Sequence, residues 1–287
     1  MRAAIGSAHA EIALRCRALG YEFVIRCAHP ELMAHLGHVF GSLEDPAADA
    51  HVYEVQDFAG WAQITLDGAV AVDNVRLPDV VEFIQTHVNL AAVVAPPPRL
   101  FLHAGGVSSG LDAVVLPAAS GSGKTSLTVA LVGAGLGYLS DEALAVDPDD
   151  LSITPFPKSF TIKASGQHLF PRLGPAPGTL AERFTAPYAW HVPVAEVRRD
   201  CVGTAGCRAR LIISPRYVAG SPTEVRPLSH GEAMLVLGQN SSSLRALGDR
   251  VLETLERVAR SAPAYALTFS DLGAARAEVL RLFEEVR

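Results

Sequence analysis

Residues 118–126 read Ala-Ala-Ser-Gly-Ser-Gly-Lys-Thr-Ser, set between two apolar runs of different character. Upstream, Ala113-Val114-Val115-Leu116 has the length and composition of a buried strand. Downstream, Leu127-Thr128-Val129-Ala130-Leu131-Val132 continues as a helix. A chain that ends a strand, turns through glycines and opens a helix at Lys124-Thr125 has little conformational choice. Gly121 and Gly123 let the backbone curl so that successive N–H groups point inward, a cradle for anions. The helix N-terminus adds the positive end of its dipole. Lys124 brings a point charge for β- and γ-phosphates, and the Thr125 hydroxyl can ligate Mg²⁺. Together these make the Walker A phosphate-binding loop (P-loop), with Ala118 where the usual pattern has its first glycine. The expectation is a site for ATP and Mg²⁺ built from Ser120, Gly121, Ser122, Gly123, Lys124, Thr125 and Ser126.

Composition narrows what such a loop serves. The chain has 287 residues, 49% hydrophobic and 19% charged, enough for a sizeable core and unlike a disordered chain. A formal net charge of −6, with no block of Lys and Arg, argues against nucleic acid as a partner. Met1 to Ala13 lacks a basic start followed by an apolar core, and the longest apolar run, Leu90 to Ala95, is too short to span a bilayer. A cytoplasmic protein without a membrane partner is expected. The cysteines at 16, 27, 201 and 207 match no zinc spacing and are read as reduced and structural.

The first 95 residues read as a small α+β unit. Tyr21 to Cys27 alternates as a strand, Pro30 opens a helix through Phe40, and His51 to Gln56 and Trp61 to Leu66 are strands. Asp67-Gly68 makes a hairpin turn into Ala69 to Val72, and Pro78 starts a helix through Val94. Pro96-Pro97-Pro98 is a stiff connector and marks the boundary. From 99 to 287 strands and helices alternate. Leu100 to His103 is one strand, a Ser109-Gly110 turn leads to the strand before the loop, and Gly137 to Ser140 is the next. Strands of four to seven residues then alternate with turns to Lys163. Residues 164–208, rich in Pro, Gly and Ala, carry no clear pattern: a mobile substrate loop and an ordered segment without a sequence signature both fit. Ala209 to Ser214 is a strand, Ser229-His230-Gly231-Glu232 a capping box, and Ser243 to Arg260 a helix. Tyr265 to Phe269 is a strand, with Ser270 capping the last helix.

A nucleotide loop that performs chemistry needs acids for the metal and the acceptor. Asp141 and Glu142 end the next apolar strand, at the sheet edge where ligands bind in such folds. His103 stands beside Gly105-Gly106, a pair that signals close backbone approach to a ligand or another strand. Among the cations, Lys158, Lys163, Arg183, Arg198 and Arg199 could meet the equatorial phosphate oxygens. Taken singly, each reads first as a solvated surface charge, and Lys163 is the preferred candidate because it ends a strand.

These motifs occur in a familiar order: Leu102-His103-Ala104, the loop, Leu139-Ser140-Asp141-Glu142, and Pro157 through Lys163. The run Arg210 to Tyr217 and the segment Tyr265 to Leu272 add to the likeness. Over 99–287 the chain resembles the HPr kinase/phosphorylase family, and more closely its shorter HPr-kinase-like relatives. Some of those phosphorylate a peptide serine. The resemblance implies an α/β (α+β) P-loop kinase core of the phosphoenolpyruvate carboxykinase type. It implies His103 beside the reacting phosphate, Asp141 as the base for the acceptor hydroxyl, and Glu142 as a metal ligand. Two departures stand out: Glu142 replaces the family's second aspartate, and the glycine-rich signature after the acids has no match. HPr itself is therefore a poor candidate partner.

The reading is an ATP- and Mg²⁺-dependent kinase acting on a hydroxyl of a peptide or a small amino-acid-like metabolite. Its catalytic set is Asp141, His103, Lys124 and Lys163, with Thr125 and Glu142 at the metal. A nucleotide-binding regulatory module without an acceptor is the alternative, and a carboxykinase-type lyase ranks last for want of clustered arginines. Oligomeric state, including a homo-oligomer, stays open.

Overall fold

The computed structural model describes residues 13–58, 60–242 and 247–287. Alternation along the N-terminal strands, with every second side chain apolar, builds a sheet with one buried face. Five strands, β1 (Ala13–Ala18), β2 (Tyr21–Cys27), β3 (His51–Phe58), β4 (Trp61–Leu66) and β5 (Ala69–Arg76), lie in chain order. Only β2 and β3 are parallel, and the crossover this demands is the helix α1 (Pro30–Phe40). At Asp67-Gly68 both residues have positive φ, 51° and 79°, the conformation a two-residue hairpin requires. Phe23, Ile25, Tyr53 and Ile64 pack against Leu32, Leu36, Ile84 and Val88 of α1 and α2 (Val80–Val94). Strand β1 is an addition to the strands expected from sequence. Pro78, expected to start the second helix, instead sits in a 3₁₀ turn, Leu77–Asp79, ahead of α2.

The rest of the chain surrounds a mixed six-stranded sheet. Its strands are β7 (Ala104–Ser109), β8 (Asp112–Pro117), β9 (Gly137–Ser140), β14 (Arg208–Tyr217), β15 (Glu224–Pro227) and β16 (Ala264–Phe269). Their order is β15-β16-β14-β8-β7-β9, with β14 parallel to both β8 and β16. Strand β8 is apolar on both sides because both faces are covered. Val114 and Leu116 meet Leu127 and Leu131 of α3 (Lys124–Gly133), and the same cluster holds the C-terminal helix. Val115 faces the opposite layer of helices. The molecule is a mixed α+β fold, with helices on both sides of this sheet.

Three short strands, β6 (Leu100–Leu102), β10 (Leu144–Val146) and β11 (Ile153–Thr154), form a separate sheet, and β12 (Phe160–Lys163) pairs with β13 (Ala189–Val192) as a ribbon. Strands β10 and β11 are shorter than expected. The expected strand through His103 ends at Leu102: β6 belongs to one sheet and β7 to another, and His103 bridges the break. Residues 164–208, which carry no readable pattern, fold into α4 (Ala164–Gln167), α5 (Leu180–Phe184), β13 and α6 (Val194–Val197), with Phe184, Val192 and Val194 buried, which decides for the ordered segment over the open loop. Capping governs the remaining helices. Ser229 and Glu232 form the expected capping box of α7 (His230–Gln239). The helix expected from Ser243 is α8 (Arg250–Ser261), preceded by a turn at Gly248-Asp249, while 243–246 lie outside the described residues. Asp271, not Ser270, caps α9 (Leu272–Val286): its carboxylate accepts from Ala274 N at 2.6 Å, while the Ser270 hydroxyl donates to Ser221 O.

The N-terminal unit braces the β12–β13 ribbon. Gln85 Nε2 of α2 donates to Thr161 Oγ1 at 3.0 Å, the Ser159 hydroxyl donates to Val39 O, and Arg183 pairs with Glu31 at 2.6 Å. Ala143, Phe156 and Phe184 belong to the N-terminal core cluster, so the two units share apolar packing beyond the proline connector.

Candidate functional site

The site grows out of one edge of the six-stranded sheet. Strands β8, β9, β14 and β16 end there and β7 begins there, because Ala104 pairs with Pro117 and Gly106 with Ser140. Between β8 and α3 the loop turns through Gly121 and Gly123, both left-handed at φ 84° and 86°. A side chain on Gly123 would be strained by that φ and would also approach Phe269 Cζ to 2.8 Å. Gly105 and Gly106 are small for a packing reason. A Cβ on Gly105 would strike Thr128 Oγ1 of α3, and one on Gly106 would reach within 2.7 Å of Leu144. Their close approach is to the protein itself.

A cavity of about 330 Å³ opens over the loop. Ser120, Gly121, Gly123, Lys124, Thr125 and Ser126 line it, and across from them stand His103, Asp141, Glu142 and Lys163. Ser122 is the one expected loop residue that does not: its carbonyl accepts from Tyr217 N at 2.9 Å, and its hydroxyl is buried without a partner. Helix α4 closes one side, where a Cβ on Gly166 would come 3.3 Å from Ser126 Oγ.

Lys124 is only 5% exposed and donates to Ala118 O at 3.0 Å. Burial pushes its ammonium down to about 8, against the opposing pull of Glu142 and Asp141. Lys163 Nζ donates to Ser120 Oγ at 2.7 Å, tying the ribbon to the loop. His103 is half-buried, and its backbone N–H donates to Asn240 O. Burial, followed by the Lys124 charge, lowers its pKa below the ordinary histidine value, so the ring is neutral near pH 7.

The two acids differ sharply. Asp141 is 2% exposed, and its Oδ1 meets Lys158 Nζ at 3.0 Å and the Tyr138 hydroxyl at 2.9 Å. Its Oδ2 has a single long contact, from Thr161 N at 3.4 Å. Glu142 is half-buried at the cavity wall, 3.8 Å from Lys158 Nζ and 3.9 Å from His103 Nδ1. Burial opposes charge on Lys158, but Asp141 and Glu142 outweigh it and raise its pKa above the ordinary lysine value. Burial, then Asp141, also raises Tyr138 well above the phenol range, so it remains a donor.

Lys158 is the residue that sequence reasoning underrated. Read as a surface charge, it is fully enclosed and is the counter-ion of Asp141. The available signal was its neighbourhood, Phe156-Pro157-Lys158-Ser159-Phe160, where an isolated charge sits among residues suited to a core. The arginines serve elsewhere. Arg198 donates to Val132 O, Gly135 O and Leu136 O at the C-terminal end of α3, Arg183 pairs with Glu31, and Arg199 is exposed.

Among the described residues no group of three or more His, Cys, Asp or Glu side chains could hold a metal unaided. Magnesium that arrives on a triphosphate needs only one or two protein oxygens. The Thr125 hydroxyl and the Glu142 carboxylate, both at the cavity wall, fit that requirement. All four cysteines are free and buried. Among the described residues no helix is long and apolar enough to cross a membrane. In comparisons with known proteins, no family model and no curated protein matches the chain.

Proposed function

We propose that the chain is an ATP- and Mg²⁺-dependent kinase with a core of the HPr-kinase and carboxykinase type. It transfers the γ-phosphoryl group to an alcohol, with a peptide serine preferred over a small amino-acid-like metabolite. One observation carries the reading: a strand–loop–helix with two left-handed glycines and a buried lysine faces a pair of carboxylates across a cavity. In that arrangement the loop amides and Lys124 hold the β- and γ-phosphates. The acceptor oxygen attacks the γ-phosphorus in line, the bond to the β–γ bridging oxygen breaks, and ADP leaves. The hydroxyl proton passes to Asp141 Oδ2, the less engaged of its two oxygens. A loose transition state asks such a base more for orientation than for strength, which suits a carboxylate pinned through Oδ1. Thr125 and Glu142 would hold Mg²⁺, which supplies neutralising charge to the phosphates. Lys163 and the neutral His103 flank the transferred group.

The test is mass spectrometry of serine-bearing peptides and small alcohols incubated with the protein, ATP and Mg²⁺. The reading predicts one added phosphate on the acceptor, with ADP released in step. ADP release independent of every acceptor would instead favour a nucleotide-driven module.

A further inference from the structure

The loop sits on the central strand β8, and the strand order divides the cavity into two unlike halves. On one side, β7 and β9 bring His103, Asp141 and Glu142, with Lys163 reaching over from the ribbon. On the other side, β14 and β16 end in Tyr217, Phe269 and Ser270, followed by Leu272 at the start of α9. The ionic half is where a terminal phosphate belongs. The other half is aromatic and apolar.

We propose that this second half is a nucleobase shelf, with the exposed Tyr217 ring as its stacking face, and that it accepts adenine and guanine alike. The proposal rests on the nucleotide reading above and extends it to the other end of the ligand. Tyr217 is 50% exposed although it lines a cavity, and its ring meets buried Phe269 edge-on, with centroids 6.0 Å apart. Phe269 in turn presses against Gly123, and Tyr217 N is bonded to Ser122 O, so the shelf is fastened directly to the loop. A phosphate chain running away from the acids therefore delivers its nucleoside to this ring. Stacking is insensitive to the base because every base has a π-face. Discrimination would need polar groups fixed against the base edge. The Ser270 hydroxyl on this wall has its proton committed to Ser221 O at 2.6 Å, and the polar side chains Ser165 and His168 of the lining are exposed on the α4 segment rather than fixed in place.

The experiment is calorimetry on the full chain with ADP, GDP and inorganic pyrophosphate, comparing wild type, Tyr217→Ala and Tyr217→Phe. We expect Tyr217→Ala to weaken ADP and GDP each by roughly tenfold, the loss of one base stack, and to leave pyrophosphate unchanged. Tyr217→Phe keeps the ring and should bind all three as wild type does. ADP and GDP should differ by less than about threefold in the wild type, since stacking alone does not tell them apart. Unchanged ADP affinity in Tyr217→Ala, or a strong wild-type preference for one purine, overturns the shelf while leaving the phosphate loop intact. Failure of the wild type to bind either pyrophosphate or ADP overturns the nucleotide reading and the shelf with it.

Discussion

Lys158 and Lys124 are both buried lysines, and they differ in what surrounds them. Lys158 has Asp141 at 3.0 Å and Glu142 at 3.8 Å, and its charge is held. Removing it strands the Asp141 carboxylate inside the protein. Lys158→Met should therefore destabilise by about 3–5 kcal/mol in urea unfolding, and the pair Lys158→Met with Asp141→Leu should recover most of that loss. A double variant no more stable than the single one would mean that the charge pair is not what the site depends on. Lys124 lacks such a close partner and titrates at about 8. Phosphate oxygens favour its charged form, so binding requires a proton that the free protein has lost above that pH. ADP affinity should weaken by up to about tenfold per unit above pH 8. Asp141, Glu142, Lys158 and Lys163 share this environment, and Lys124→Arg, which stays charged, should remove the dependence if Lys124 is its source. A slope that persists in the arginine variant would assign it elsewhere.

At the scale of elements, the loop is only as well placed as the packing between α3 and β7. Gly105 lets the helix approach so closely that a methyl group there would overlap Thr128 Oγ1 and lie 3.2 Å from Lys124 Cγ. Gly105→Ala should cost about 1–3 kcal/mol by overpacking and shift Lys124 enough to weaken ADP binding. Wild-type affinity and midpoint in that variant would contradict the close contact. Elements whose cause is local were readable from sequence: the capping box at Ser229, the turn at Asp67-Gly68, and the loop itself, whose glycines announce their φ. Those fixed by long-range pairing were not. Strand β13 exists because it covers β12 and carries no strong pattern of its own. Strand β1 does alternate, with Leu14, Cys16 and Ala18 buried and Arg15 and Arg17 between them, a signal too short to stand without the edge that β2 offers. The site followed the same division. The loop and the acids could be placed along one sheet edge from their spacing, whereas His103 entered only through the family resemblance, since the glycines beside it serve packing. Lys158 could not be ranked, because its burial depends on a ribbon braced by a different part of the chain. The arginines were overvalued for the converse reason: Arg198 looks free in sequence but caps the carbonyls of α3.

Across the whole molecule, the N-terminal unit supports the ribbon that carries Thr161 and Lys163, together with the segment just before it that holds Lys158. Several histidines lie at that junction. His191 Nε2 is 3.0 Å from Glu82 Oε2, not aligned for a hydrogen bond, and lowers the Glu82 pKa. His35 is buried on α1 against Phe184, its Nε2 unpartnered, and burial lowers its pKa to about 4, with His38 and His191 adding to the effect. The sign follows from its depressed folded value. Above pH 6.5 His35 is neutral in both states and contributes no pH dependence. As pH falls from 6.5 toward 4 the unfolded chain takes a proton that the folded one refuses, and stability drops by up to roughly 3 kcal/mol. Denaturant midpoints from pH 7 to 4 should show this loss in the wild type and a shallower one in His35→Leu. Equal slopes would remove His35 from the acid response.

Everything proposed for the site depends on the loop at 118–126 holding nucleotide phosphates through Lys124. Calorimetric titration of ADP with Mg²⁺ into the wild type and Lys124→Ala addresses it most directly, since no acceptor is needed. We expect saturable one-site binding to the wild type and affinity weakened at least about a hundredfold in Lys124→Ala, the scale of losing one buried charge-assisted contact. No binding to the wild type, or equal affinity in the two proteins, would contradict it.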